Sequence, residues 1–161
     1  MHPDIFDAFD ELCRKLPAQG AVIEIGASPH HQSLLTLPSL SGWASRTGIG
    51  LDGPYEDPYK RFTILEGNAH DLRRFQDGAF DLVLCNSLLE HDAKFWLTLA
   101  EAHRIAAPGA WMVFGVPGYH QMGDIHELRF IRKLAKLPLL GKKFLALNTT
   151  LKASSLTLGL Q

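Results

Sequence analysis

The chain has 161 residues, enough for one domain, and its 46% apolar content is sufficient to build a core. A net charge of −1 and a pI near 6.7 carry no global signal for nucleic acid, and none is expected as a partner. Charge is nonetheless uneven: through Gly118, 9 Lys/Arg stand against 15 Asp/Glu (−6), and from Tyr119 onward 7 stand against 2 (+5). Cys13 and Cys85 form no C-x-x-C pair, which argues against a disulfide framework or a zinc site. The acidic start MHPDIFDAFDEL lacks a signal-peptide core, and no apolar run reaches the ~18 residues of a spanning helix. A reduced, cytoplasmic compartment is the expectation.

Ile5, Phe6, Phe9, Leu12, Cys13 and Leu16 recur at helical spacing and predict an amphipathic helix that ends at Pro17. AVIEIG reads as a buried strand. The stretch ASPHHQSLLTLPSLSGWAS holds a short helix at best, because Pro38 and Gly42 interrupt it. TGIGLD, RFTILEG and AFDLVLCNS read as three further strands. A helix is predicted over Asp92 to Ala107, stopped by Pro108-Gly109, with AWMVFGVP as the fifth strand. Strands near 21–25, 47–51, 62–65, 80–85 and 110–116 are apolar throughout rather than alternating. That pattern requires a sheet covered on both faces, which means an α/β fold with a parallel sheet and crossover helices. Beyond it, residues 124–137 form a basic amphipathic pattern, with Ile125, Leu128, Ile131, Leu134 and Leu137 between Arg129, Arg132, Lys133 and Lys136. One last strand is expected at about 147–158, within the same domain.

The strand ends carry the chemistry. They read Glu24-Ile25-Gly26, Leu51-Asp52-Gly53, Gly67-Asn68-Ala69 and Cys85-Asn86-Ser87. A parallel sheet binds ligands at these carboxyl ends. Glycine after the first strand permits close backbone approach. An acid after the second can accept bonds from both ribose hydroxyls, and the Asn68 amide oxygen can accept from an adenine amino group.

VIEIGAS, GIGLDG, EGNAHDL, GAFDLVLCNSLLEH and EAHRIAAPGAWMVFGVP resemble, in order over roughly residues 20–118, the motifs of class I (Rossmann-like) S-adenosylmethionine-dependent methyltransferases, small-molecule branch. The resemblance implies S-adenosylmethionine as cofactor and a Rossmann-like sheet of five or more strands, shortened in its C-terminal antiparallel part. It implies that Glu24 and Gly26 serve the methionine arm, Asp52 the ribose, Asn68 and Ala69 the adenine, and the Asn86 backbone the cofactor's amino group. The first loop, Glu24 to His30, lacks two of the family's three glycines and contains Pro29. An alternative reading is therefore a non-catalytic Rossmann-like binding or partner protein. A nicotinamide oxidoreductase is disfavoured by the absence of G-x-G-x-x-G. His91 is a weak candidate for a general base, and its bland reading is packing at a helix start. His30, His31, His120 and His126 show no metal-ligand spacing, so no metal is expected. The 124–137 helix is expected to cover the sheet, to contact a membrane surface or anionic lipid, or to serve in a homodimer. The expected reaction is methyl transfer to a small-molecule or lipid-linked acceptor.

Overall fold

A computed structural model describes residues 1–117 and the strand at 143–149. The first helix, α1, spans Pro3–Cys13. Proline at its first position costs no hydrogen bond, and Asp4 suits the positive end of the helix. It ends earlier than its apolar pattern. The residue before Pro17 is disfavoured in helical conformation, and the final turn tightens to bonds from Lys15 N to Leu12 O and from Leu16 N to Cys13 O.

The strands are β1 (Ala21–Ile25), β2 (Ser45–Gly50), β3 (Tyr55–Glu56), β4 (Thr63–Glu66), β5 (Phe80–Asn86), β6 (Ala106–Pro117) and β7 (Lys143–Thr149), with helix α2 (Phe95–Ile105) before β6. They form one seven-stranded sheet in the order β3-β4-β2-β1-β5-β6-β7. Every pairing is parallel except β3 with β4. The strand expected at 147–158 therefore begins earlier and runs parallel to β6, and residues 150–161 lie outside those described. Among the described residues the antiparallel strand is at the opposite edge. There β3 is two residues long, with Pro54 before it and Pro58 after it, a combination that discourages pairing with another chain.

Side chains of each strand alternate between two cores. On one face Val22, Leu82, Leu84 and Val113 meet Phe9 and Leu12 of α1, along with Leu34, Leu35, Leu37 and Leu40 of two short 3-10 turns. On the other, Ile23, Ile25, Val83, Cys85, Met112 and Phe114 meet Ala102 and Ile105 of α2 and Leu72. Side chains of this size contribute about 1.5–3 kcal/mol each when fully buried, so both faces of the sheet are held. Pro29, Pro38 and Gly42 keep the first crossover from forming an α-helix. The crossover from β2 to β4 is reduced to the β3 hairpin. Pro108-Gly109 is not a turn before the fifth strand. The helix stops at Ile105, and the two residues form an irregularity inside β6, whose register with β5 shifts between Ala106 and Trp111 while Gly109 takes φ +81°.

Candidate cofactor site at the carboxyl edge of the sheet

The order β4-β2-β1-β5 sets four carboxyl ends side by side, with the chain reversing its direction of strand addition between β1 and β5. Asn68, Asp52, Gly26 and Asn86 therefore form one row at the switch point, where open parallel sheets hold ligands. The loops are tied there by backbone bonds. Gly26 N and Ala27 N donate to Ile49 O (2.8 and 3.0 Å), Gly67 N to Gly50 O (2.9 Å), and Ser87 N to Gly115 O (2.9 Å).

At the centre, Gly26 adopts φ +86°, a conformation that disfavours any residue with a Cβ. Two residues on, Ser28 Oγ donates to Asp52 Oδ2 at 2.9 Å and accepts from His30 N at 3.2 Å. This bridge fixes the first loop against the end of β2. Asp52 is exposed, and its second oxygen is left for another donor. Glu24 is placed differently from the row. Its side chain points into the α1 face, is 5% exposed, and accepts from Ser33 Oγ at 2.5 Å and from the backbone N–H groups of Leu34 and Leu35. Burial pushes its carboxyl above the usual range, and those three donors oppose the shift. Glu24 thus holds the crossover that carries the first loop.

Beside this row, Ile49, Glu66, Gly67, Asn68, Asp71, Arg73 and Arg74 line an open depression of about 540 Å³. Asn68 Oδ1 accepts from His70 N at 2.9 Å, while Asn68 O accepts from Asp71 N. Ala69 is half-buried against the α2-side core. Helix α2 anchors this loop from behind: Leu72 N donates to Glu101 Oε2 (2.6 Å), and Arg104 donates to Phe75 O and Asp77 Oδ1.

A second anchor escaped the sequence reading. His70 Nε2 donates to the Asp92 carboxylate at 2.8 and 2.9 Å, and the same carboxylate accepts from Thr98 Oγ1 (2.7 Å) and Lys94 N (2.8 Å). Burial raises the Asp92 pKa, but these donors outweigh it and hold the carboxyl below the usual aspartate range. The clasp joins the end of β4 to the start of α2. Its only trace in the sequence is an aspartate three residues before Phe95, the start of α2, and two before the N-cap Lys94. Asn86 Nδ2 donates to Ser87 Oγ (3.1 Å), and a Cβ on Gly115 would strike Asn86 Oδ1 at 2.3 Å. His91 is 77% exposed, with its ring 3.9 Å from Glu90 Oε1. His30 and His31 are exposed, and no group of three metal-ligating side chains occurs among the described residues. His120, His126 and the 124–137 segment lie outside them. No described helix is long and apolar enough to cross a membrane.

The order of strands defines a Rossmann-like fold. Residues 51–114 match the family model described as a methyltransferase domain. None of the curated proteins compared matches the sequence. Among solved structures the chain is similar to the YcgJ protein of Bacillus subtilis, with 15% identity, TM-score 0.56, and 89% of this chain covered against 63% of that one. It is also similar to phosphoethanolamine N-methyltransferase 2 of Haemonchus contortus, solved with phosphomonomethylethanolamine and S-adenosylhomocysteine (12%, TM-score 0.53, 81% and 32% covered). An arsenic(III) S-adenosylmethionine methyltransferase of Chlamydomonas reinhardtii matches at 22% identity and TM-score 0.48, with 63% and 40% covered. The chain thus spans between about a third and two thirds of the length of these structures. Residues 51–114 are thus similar to a methyltransferase domain, and the fold is shared with the YcgJ protein.

Proposed function

We propose that the chain binds S-adenosylmethionine along the row Asn68–Asp52–Gly26–Asn86 and transfers its methyl group to a small-molecule or lipid-linked acceptor. The observation that carries this reading is the alignment of four ligand-suited strand ends at the switch point, with the open depression beside Asn68. The residues fit the group. Gly26 leaves room for backbone approach, Asp52 keeps an oxygen for the ribose hydroxyls, and the depression beside Asn68 and Ala69 suits the adenine ring. Asn86 closes the row at β5, where its backbone reaches the amino-acid arm. When bound, the cofactor supplies a methyl group already activated by the sulfonium. The chain's own work is then to orient donor and acceptor and to exclude water. Glu24 acts through the loop it anchors. His91, exposed at the rim, is available as a base toward an acceptor hydroxyl or amine.

The reading extends to a cytoplasmic protein acting on an acceptor other than nucleic acid, in keeping with the acidic body. Contact with a membrane or lipid, or with a second copy, is assigned to the basic 124–137 segment. The test is calorimetric titration with S-adenosylhomocysteine of wild type and Asp52→Ala. Loss of the ribose contacts weakens binding at least tenfold, about 1.4 kcal/mol. Unchanged affinity in a folded variant refutes the site.

A second reading, a non-catalytic binding or partner protein, is favoured by how the first loop is packed. A Cβ at Gly26 would lie 3.2 Å from Leu88 Cδ2, and Ala27 O occupies the space where a side chain at residue 50 would lie. That reading expects weak or absent binding of S-adenosylhomocysteine.

A further inference from the structure

The turn that follows β5 is laid across the candidate site. At one end Leu88 packs on Gly26, so that a Cβ there would meet Leu88 Cδ2 and Cβ at 3.2 and 3.3 Å. At the other end Asp92 grips His70, two residues after Asn68. Between them the backbone closes a tight turn through His91 N to Leu88 O and Asp92 N to Leu89 O. The turn is entered through Ser87, whose φ of +51° is costly for a residue with a side chain.

Midway along this turn stands Glu90. Its side chain is 7% exposed, yet among the described residues Oε2 has no hydrogen-bond partner, and the His91 ring stands 3.9 Å from Oε1. A buried carboxylate oxygen without a donor is expensive. The neighbouring carboxylates meet this demand internally: Glu24 has Ser33, and Asp92 has His70, Thr98 and Lys94 N. Glu90 is the exception, and it lies in the chain between Leu88, which stands beside Gly26, and Asp92, which clasps the Asn68 loop. The buried Cys85 thiol beneath it is pushed up by burial and by the charges of Glu24, Glu90 and Asp92, so this end of the sheet is a negative environment.

We propose that Glu90 is a recognition residue of this site, which accepts a hydrogen bond from the ammonium group of a ligand on the oxygen that the chain leaves unpaired. The assignment rests on the cofactor-site reading above. An ammonium is the chemistry that fits, because it brings both N–H donors and the opposite charge to a desolvated carboxylate. The ammonium comes either from the amino-acid arm of the cofactor or from an amine acceptor.

The experiment compares wild type with Glu90→Gln, which keeps the side-chain shape and removes the charge. Each is titrated calorimetrically with S-adenosylhomocysteine and with 5′-methylthioadenosine, which has the adenosine but no ammonium. Each is then titrated, saturated with S-adenosylhomocysteine, with ethylammonium chloride while amide NMR signals are followed. If Glu90 holds the cofactor's arm, the variant loses at least tenfold affinity for S-adenosylhomocysteine and none for methylthioadenosine. If it holds an amine acceptor, both affinities are kept, and ethylammonium shifts the amides of 88–92 in wild type alone. If wild type and variant behave alike in all titrations while binding the adenosine compounds, the Glu90 assignment is overturned and the cofactor site stands. If wild type binds neither adenosine compound, both fall together.

Discussion

Replacing Asp92 by alanine removes the acceptor on which three donors converge: His70 Nε2, Thr98 Oγ1 and Lys94 N. Thr98 is fully buried, so its hydroxyl loses a partner that water cannot replace. A hydrogen bond to a charged acceptor contributes about 1.5–3 kcal/mol, and a backbone N–H that loses its acceptor costs about 1 kcal/mol. The three bonds share one carboxylate and do not simply add, so the expected loss is about 2–4 kcal/mol. Urea denaturation followed by far-UV circular dichroism measures it. The pH dependence gives a second readout with a definite sign. The folded Asp92 pKa is depressed, so its contribution is complete above the unfolded value of about 3.9 and is lost as pH falls through the lower folded value. The gap between wild type and Asp92→Ala therefore narrows below about pH 4 as Asp92 is protonated. A loss under about 0.5 kcal/mol, or a gap that does not narrow below about pH 4, refutes the clasp.

Gly50→Ala puts a Cβ 1.9 Å from the carbonyl oxygen of Ala27, a backbone atom that cannot step aside, and costs about 3 kcal/mol or more in the same denaturation assay. A variant as stable as wild type contradicts the seating of the first loop on β2. Burial pushes the Cys13 thiol up to about 12, helped by the charge of Asp10, and drives Cys85 higher still. Both thiols are therefore silent toward an aromatic disulfide reagent at about pH 8 in the native protein and titrate fully in denaturant. Rapid labelling of either in the folded state contradicts the packing at that position.

The sheet was legible because its strands are apolar on both sides. VIEI and DLVLC have no polar face to turn outward, and that alone demands covering layers. The strand ends, and with them Gly26, Asp52, Asn68, Ala69 and Asn86, follow from the same pattern. Glu24 shows its limit. Its place beside Gly26 in the sequence suggested the ligand side, whereas side-chain alternation along β1 sends it to the α1 face with Val22. The His70–Asp92–Thr98 clasp joins residues 22 and 6 apart through tertiary contact, and no periodicity records such a meeting. Hairpin strand β3 was missed because two residues between prolines carry no alternation. The end of α1 was misplaced because apolar spacing continues to Leu16, while Pro17 acts on the backbone before it.

The central claim, that one row of strand ends forms an adenosine-binding site, is tested most directly by amide NMR of the chain titrated with S-adenosylhomocysteine. Saturable shifts are expected at residues 26–28, 52, 68–70 and 86–92, with α1 and the β3 hairpin quiet. Shifts scattered away from those loops, or none at millimolar ligand in a folded sample, would contradict it.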